Sequence, residues 1–217
     1  MSLVREEFGP TLPELVGRRL GVPARKVWMA FAAVGAVVVV VAAWLALRPT
    51  PGEHGVVVHE PIAYNLIFPS ALHRVAPQGG ETLRLQSRSG PPQSFAVRSL
   101  RLAPYKGDVT AALTGLSSGL IDRMRGQYQD FVWRGDGRVN INKQPGYQII
   151  FQARVDGRTT YGRRVMLVAE PDPPPREGVD ITILAARSPS VPNLDSVGAT
   201  GALKTAYRSF RLGTDRP

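Results

Sequence analysis

The feature that most constrains this chain is an uncharged segment of 21 residues, positions 27–47, which lies between Lys26 and Arg48. As a helix with a rise of about 1.5 Å per residue it would be about 30 Å long, which matches the hydrocarbon core of a bilayer. We therefore predict a single transmembrane helix over residues 27–47. The residues expected within the membrane, with tryptophan near both interfaces, are Val27, Trp28, Phe31, Val37, Val41, Trp44 and Leu47.

The basic residues around this segment predict its orientation. Five of them precede it, whereas Arg48 alone follows it before a segment rich in proline and glycine. Because basic residues favour the cytoplasmic side, we expect a cytoplasmic N-terminus and an extracytoplasmic C-terminal domain at the cell membrane. A cleaved signal peptide is the main alternative. It would have a shorter apolar run and small residues before the cleavage site, which the WLALR sequence at 44–48 does not provide.

Composition narrows the function classes. The chain has no cysteine, which excludes thiol catalysis, disulfides and cysteine-based zinc sites. The whole chain carries 27 basic and 17 acidic residues, and removing the five and three found in positions 1–26 leaves 22 and 14, a net charge of +8. A basic exported domain is attracted to anionic lipids and cell-wall polymers. Nucleic acid is not an expected partner, because no arginine-rich run or aromatic RNA-binding pattern occurs.

The remaining patterns divide the chain into segments. The TLPE sequence at 11–14 is a capping box and predicts a short amphipathic helix that either lies on the inner leaflet or docks a cytoplasmic partner. The predicted segments are a cytoplasmic tail at 1–26, the transmembrane helix at 27–47, a linker at 48–59, an extracytoplasmic domain at 60–213 and a tail at 214–217.

The first half of the domain predicts three strands followed by a long helix. Asp108 is the predicted N-cap of the helix, and an apolar stripe with steps of three or four residues follows from position 109 to Phe131. Gly115 and Gly119 lie within this helix, which suggests a close approach to a sheet. The predicted strands cover residues 62–68, 82–86 and 95–102.

The second half predicts an antiparallel meander and a final helix near residues 193–207. The KQPG sequence at 143–146 predicts a type II turn, and Asp156-Gly157 predicts a hairpin turn. Asp136 also adjoins a glycine and is interpreted as a turn residue rather than part of an acid–base pair. The order of elements predicts an α+β domain, an antiparallel sheet with helices packed on it. Further strands are predicted at 138–141, 147–155, 159–169 and 179–186.

Several segments resemble bacterial relatives of the PsbP-like superfamily. They are YNLIFP at 64–69, the long central helix, INKQPGY at 141–147, GRTTY at 157–161 and Ser209-Phe210, so that the resemblance covers about residues 60–212. It implies an α/β/α sandwich around an antiparallel sheet, and a role in binding proteins or membrane complexes rather than catalysis. The superfamily has no shared catalytic motif to transfer. The membrane anchor departs from its soluble or lipid-anchored members, so no specific partner is implied.

One catalytic pattern occurs literally, a G-x-S-x-G at residues 115–119. The nucleophile elbow of α/β-hydrolases needs a strand before this motif and a histidine after it. Here the motif lies inside the predicted helix, and His54, His59 and His73 all precede it. The histidines also lack the spacing of metal ligands. We therefore predict no catalytic, cofactor-binding or metal site.

The resulting hypothesis is a membrane-tethered, extracytoplasmic, non-catalytic binding or accessory module that engages a membrane or cell-envelope protein complex. Tethering would raise its effective concentration near a membrane-bound partner. The alternative is a carrier of lipid or another small ligand that uses a pocket between sheet and helix. Arg84, Arg88, Arg98 and Arg101 are interpreted either as a solvated basic face or as a basic contact surface for lipid phosphates or an acidic partner.

Overall fold

The computed structural model describes residues 23–47, 52–168 and 176–215. The chain divides into two compact units, residues 1–51 and 52–217. In the first unit, helix α1 spans Ala24–Leu47. Within the described part of the chain, no helix is both long and apolar enough to cross a membrane. The predicted transmembrane helix at 27–47 is therefore not shown and stays a prediction, and the predicted tail helix at 11–20 lies outside the described residues.

The second unit contains two antiparallel sheets. The small sheet has the order β1-β2-β10 and the large one the order β3-β4-β5-β9-β8-β7-β6. The strands are β1 (Glu53–Val58), β2 (Tyr64–Pro69), β3 (Leu72–Val75), β4 (Glu81–Ser87), β5 (Gln93–Arg101), β6 (Gln129–Ile141), β7 (Gln144–Val155), β8 (Arg158–Val168), β9 (Glu177–Ala186) and β10 (Arg211–Leu212). The helices of this unit are α2 (Val109–Gln127), α3 (Leu203–Ser209) and a 3₁₀ turn at Leu194–Ser196.

The large sheet lies between two layers. Helix α2 packs on β6 and β7, where its buried Leu113 and Leu120 join a cluster that includes Ile149 and Met166. The opposite face is covered by α3 and the small sheet, which share the main core. Phe210 lies at the centre of that core and stacks on Tyr64 with ring centroids 5.3 Å apart. The α+β prediction is confirmed, with the difference that one outer layer combines a short helix with a three-stranded sheet.

The small sheet joins distant parts of the sequence. Strand β10 pairs with β2, so that Arg211 lies opposite Asn65. The fully buried Asn65 side chain donates to the carbonyl oxygens of Gly213 and Asp215, at 2.8 and 2.5 Å. Strand β1 pairs with the other edge of β2 over residues 53–58. The linker predicted at 48–59 is therefore wrong over those six residues, because the pairing with β2 gives them a strand conformation.

The predicted N-terminus of the long helix is confirmed, and its predicted end is wrong. Asp108 caps α2 by accepting a hydrogen bond from the backbone N–H of Thr110 at 3.1 Å. The helix ends at Gln127, and Phe131 belongs to β6, where its ring lies 5.5 Å from that of Phe151. An aromatic and β-branched run, Phe131 to Trp133, favours a strand here. The apolar stripe therefore continues with helical spacing past the end of the helix as far as Phe131. Strand β6 is 13 residues long, whereas the predicted strand covered only the four residues 138–141.

Two glycine predictions are also corrected. Gly115 and Gly119 are exposed, and a β-carbon at either position would have no neighbour within 4 Å. The close approach instead occurs between strands, where the Phe151 ring covers Gly162 of β8. In the predicted final helix, Gly198 and Gly201 adopt positive φ angles, which separate the 3₁₀ turn from α3.

The turns of the meander were predicted at one end and misplaced at the other. Asp156-Gly157 forms the expected two-residue hairpin turn, with φ angles of 50° and 74°. The turn before β7 is made by Asn142-Lys143, with φ angles of 49° and 70°, and not by the four residues at 143–146. Gln144 already pairs with Ile141, so the proline and glycine that follow lie within the strand. The interpretation of Asp136 as a turn residue is wrong, because it lies in β6 and accepts a hydrogen bond from Tyr147.

Candidate functional site: an arginine-lined groove

Helix α2 covers only part of its face of the large sheet. It packs on β6 and β7, whereas β4, β5 and β9 continue the same face beyond the end of the helix. Successive residues of a strand point to opposite faces, so the neighbours of the core residues Leu85, Val97 and Ile183 point to this side. These neighbours are largely polar, and the open part of the face therefore differs from an ordinary core surface. They include Arg84, Gln86, Arg98 and Thr182.

The centre of this face is held by ion pairs. The Glu81 carboxylate, whose side chain is 1% exposed, accepts from Arg84 at 2.7 Å and from Arg98 at 3.4 Å. Burial raises the pKa of Glu81, but hydrogen bonds from Arg84, the backbone amide of Gln78 and Arg98 outweigh it, so the pKa lies below its usual value. Arg84 is thus paired with an internal carboxylate, and the more exposed Arg98 makes a longer contact with the same group.

A second ion pair lies on the neighbouring strands. Arg164 of β8 donates from Nε to both oxygens of Asp180 at 2.9 and 3.0 Å, and both side chains are largely buried. Its neighbour Arg163 points to the opposite face, as the alternation predicts, and lies 5.5 Å from the centre of the Tyr207 ring. Burial also raises the pKa of Tyr128, which borders a cavity of about 60 Å³ beside these pairs. This region is therefore a structural polar network.

Beyond the network lies a groove formed by two open cavities of about 550 and 640 Å³. Arg88 borders the first cavity, Arg187 borders the second, and Arg158 borders both. We call the surface defined by Arg88, Arg158 and Arg187 the arginine groove. Strand pairing brings its parts together, because Arg187 donates its backbone N–H to the carbonyl of Thr159 at 3.0 Å.

The three arginines are exposed and lack an acidic partner among the described residues. Arg88 donates its Nε–H to the carbonyl oxygen of Ser70 at 2.9 Å, which holds one edge of its guanidinium group. Among the described residues that line the two cavities, Asp156 of the first cavity is the one carboxylate. The arginine groove therefore has excess positive charge, and it can bind anionic groups.

The four arginines of the predicted contact surface lie in different environments. Arg84 and Arg98 meet at Glu81, Arg88 lies in the arginine groove, and Arg101 pairs with Glu177 at 3.0 Å. Sequence reasoning missed Arg158 and Arg187. Arg158 directly follows a recognisable hairpin turn, but its proximity to Arg187 depends on the pairing of β8 with β9, which the sequence alone did not specify.

The residues of the hydrolase-like motif have a structural role. Ser117 is 2% exposed within α2 and donates its hydroxyl to the carbonyl of Thr114 at 2.7 Å. This confirms the prediction that the motif is helical. His54 packs on Phe68 in the small sheet, with ring centroids 5.5 Å apart, whereas Ser117 lies in α2. Among the described residues, no group of three or more side chains could hold a metal ion.

Comparisons with known proteins identify the fold. No known family and no curated protein matches the sequence. The solution structure of cyanobacterial PsbP (CyanoP) from Synechocystis sp. PCC 6803 matches with a TM-score of 0.53 and 11% identity, over 76% of this chain and 95% of that one. The crystal structure of LpqN, involved in cell envelope biogenesis of Mycobacterium tuberculosis, matches with a TM-score of 0.49 and 8% identity, over 75% and 92% of the two chains. The chain has a PsbP-like fold.

Proposed function

We propose that the chain is a membrane-tethered accessory protein whose PsbP-like domain binds a protein of a membrane or cell-envelope complex without catalysing a reaction. The observation that carries the proposal is the arginine groove, an open surface with three cations that lack acidic partners among the described residues. Such a surface favours a partner that presents negative charge.

The tether is proposed from the sequence. Residues 27–47 are uncharged, and five basic residues precede them, which favours a membrane-spanning helix with its N-terminus in the cytoplasm. The domain would then work on the outer side of the membrane. Confinement to a surface raises the effective concentration of a module near a membrane-bound partner, so moderate affinity would suffice.

The groove favours binding over catalysis. The guanidinium groups of Arg88, Arg158 and Arg187 donate hydrogen bonds and have no acceptor atom, so they do not provide a general base. The hydroxyl of Thr160 donates to the carbonyl of Arg158 at 3.2 Å, and no histidine lines either cavity as described. The groove offers charge and hydrogen bonding, which are the properties of a recognition surface.

The carrier hypothesis has less support. It needs an apolar pocket between α2 and the sheet, but there Leu113, Leu120 and Met124 are at most 5% exposed. They pack directly against residues of β7 and β8. The larger described cavities lie outside this interface and have mixed linings in which arginine and serine side chains stand beside apolar ones.

Two measurements in cells test the proposal. Protease added to intact spheroplasts should digest the domain, and its protection there would refute the extracytoplasmic assignment. A photocrosslinking amino acid at Ser89, on the rim of the groove, should capture a membrane or envelope protein. The same amino acid at Arg123, on the exposed side of α2, is the matched control. Equal capture from both positions, or none from Ser89, would contradict binding through the groove.

A further inference from the structure

We infer that the arginine groove binds an extended, acidic polypeptide segment of the partner protein, with its carboxylates paired to Arg88, Arg158 and Arg187. This inference rests on the proposed binding function and names the chemistry of its ligand. The contacts of the groove support a polypeptide in three ways: the arrangement of the charges, the absence of internal compensation, and the character of the floor.

The charges are distributed over both cavities. Arg88 borders only the first cavity, Arg187 borders only the second, and Arg158 borders both. A single phosphate or other small anion is bound by donors that converge on one point. Cations distributed along a groove instead complement a chain with several separate negative charges, such as a segment with carboxylates on alternate residues.

The positive charge is not balanced from within the domain. Arg84 also borders the first cavity, but the buried Glu81 already neutralises it through two hydrogen bonds of 2.7 Å. Asp156 lines the first cavity and forms no ion pair with the groove arginines. A ligand with two or more negative charges would therefore complement Arg88, Arg158 and Arg187 in the presence of this carboxylate.

The floor of the groove suits a polypeptide rather than a phosphate-rich surface. Leu184 provides apolar area in the first cavity, and the exposed prolines Pro91 and Pro192 provide it in the second. Ser87 and Ser94 add hydroxyl groups along the first cavity. Aliphatic side chains and backbone amides of an extended segment can use such a floor, whereas a lipid headgroup would engage only the arginines at the rim.

The test uses the full chain in a neutral detergent and a fluorescent peptide of about ten residues that alternates glutamate with alanine. Binding is followed by fluorescence anisotropy. The peptide with glutamine in place of glutamate should bind at least about tenfold more weakly. The variant R88Q/R158Q/R187Q should lose affinity for the acidic peptide by at least about tenfold.

The matched control is R74Q/R123Q/R208Q, which removes three exposed arginines outside the groove. It has the same net charge as the groove variant. It should change the affinity less than about twofold. Equal losses in both variants would show non-specific attraction and overturn the inference. Tighter binding to phosphatidylglycerol in mixed detergent micelles than to the peptide would also overturn the inference if it depended on the groove arginines. That result would identify a lipid ligand. If crosslinking from Ser89 succeeds while the acidic peptide fails to bind, the binding function stands and the acidic ligand is wrong.

Discussion

The contact between Gly162 and Phe151 gives the sharpest test of the packing. These residues lie opposite each other on β8 and β7. A β-carbon at Gly162 would be 2.1 Å from Cζ of the Phe151 ring and 2.5 Å from both Cε atoms. The ring cannot easily move, because it is fully buried and its centroid lies 5.4 and 5.5 Å from those of Tyr128 and Phe131. Gly162→Ala should therefore force the ring out of its place.

The expected cost can be worked from this geometry. Overpacking of a core costs about 1–3 kcal/mol, and direct overlap with a rigid ring belongs at the upper end. Replacing glycine also reduces the entropy of the unfolded chain, which returns up to about 1 kcal/mol. The net loss in the free energy of unfolding is thus about 2 kcal/mol. For a chain of this size each kcal/mol lowers the melting temperature by about 2–4 °C, so the expected fall is about 4–8 °C.

Thermal unfolding of the full chain in a neutral detergent, followed by circular dichroism, measures this effect. Phe151→Leu removes the ring, so Gly162→Ala should cost at least about 1 kcal/mol less in that background. Gly119→Ala is the matched control, because its β-carbon would meet nothing within 4 Å and alanine favours a helix by about 1 kcal/mol. It should raise the melting temperature. Equal costs of Gly162→Ala in both backgrounds, or no cost at all, would refute the proposed overlap.

Three further predictions concern the polar contacts. Glu81→Gln should cost about 2 kcal/mol near neutral pH, because it weakens the buried pair with Arg84. Since folding lowers the pKa of Glu81, its contribution to stability is present above the unfolded pKa of about 4.3 and is lost as pH falls through the folded pKa. The difference between variant and wild type in urea unfolding should therefore shrink in acid. A difference that stays constant with pH would contradict this prediction. Asn142→Ala should lower the free energy of unfolding by about 1–2 kcal/mol, because the side chain donates to the carbonyl of Phe210 at 2.7 Å and the backbone is left-handed. Asn142→Gly should recover part of this loss. Identical stability of the two variants would argue against backbone strain. Burial raises the pKa of Tyr64 to about 12, so its contribution to the free energy of unfolding is complete below about pH 10 and is lost as pH rises towards 12. Tyr64→Phe should weaken this loss of stability in alkali. An unchanged dependence of stability on pH would refute the prediction.

The spacing of apolar residues was sufficient to predict an element where one period continued along its whole length. The alternation from Tyr147 to Val155 identified β7, and the apolar stripe with its Asp108 cap identified α2. It was not sufficient for β6, an edge strand that includes Gly135 and Gly137 and has few buried side chains. That strand is specified by its partner β7, and such pairing is not visible in a local window.

The candidate site was harder to predict than the fold. Arg88 was identified from a concentration of basic residues, but the same reasoning included Arg84, whose charge is neutralised by Glu81. Arg158 shares one cavity with Arg88 and the other with Arg187 because β4, β5, β9 and β8 are adjacent in that order. Strand order is a property of the tertiary structure, and a sequence without alignment gives little information about it.

The pairing of β2 with β10 also affects when this domain can finish folding. The Asn65 side chain binds a carbonyl 150 residues later in the chain. At a synthesis rate of about 5–20 residues per second, the ribosome needs about 7–30 s to make the intervening sequence. During that interval one edge of β2 has no partner and the amide of Asn65 has no carbonyl to bind. The domain is therefore expected to stay incompletely folded until residues 211–215 have been synthesised, so the small sheet is completed long after β2 has been made.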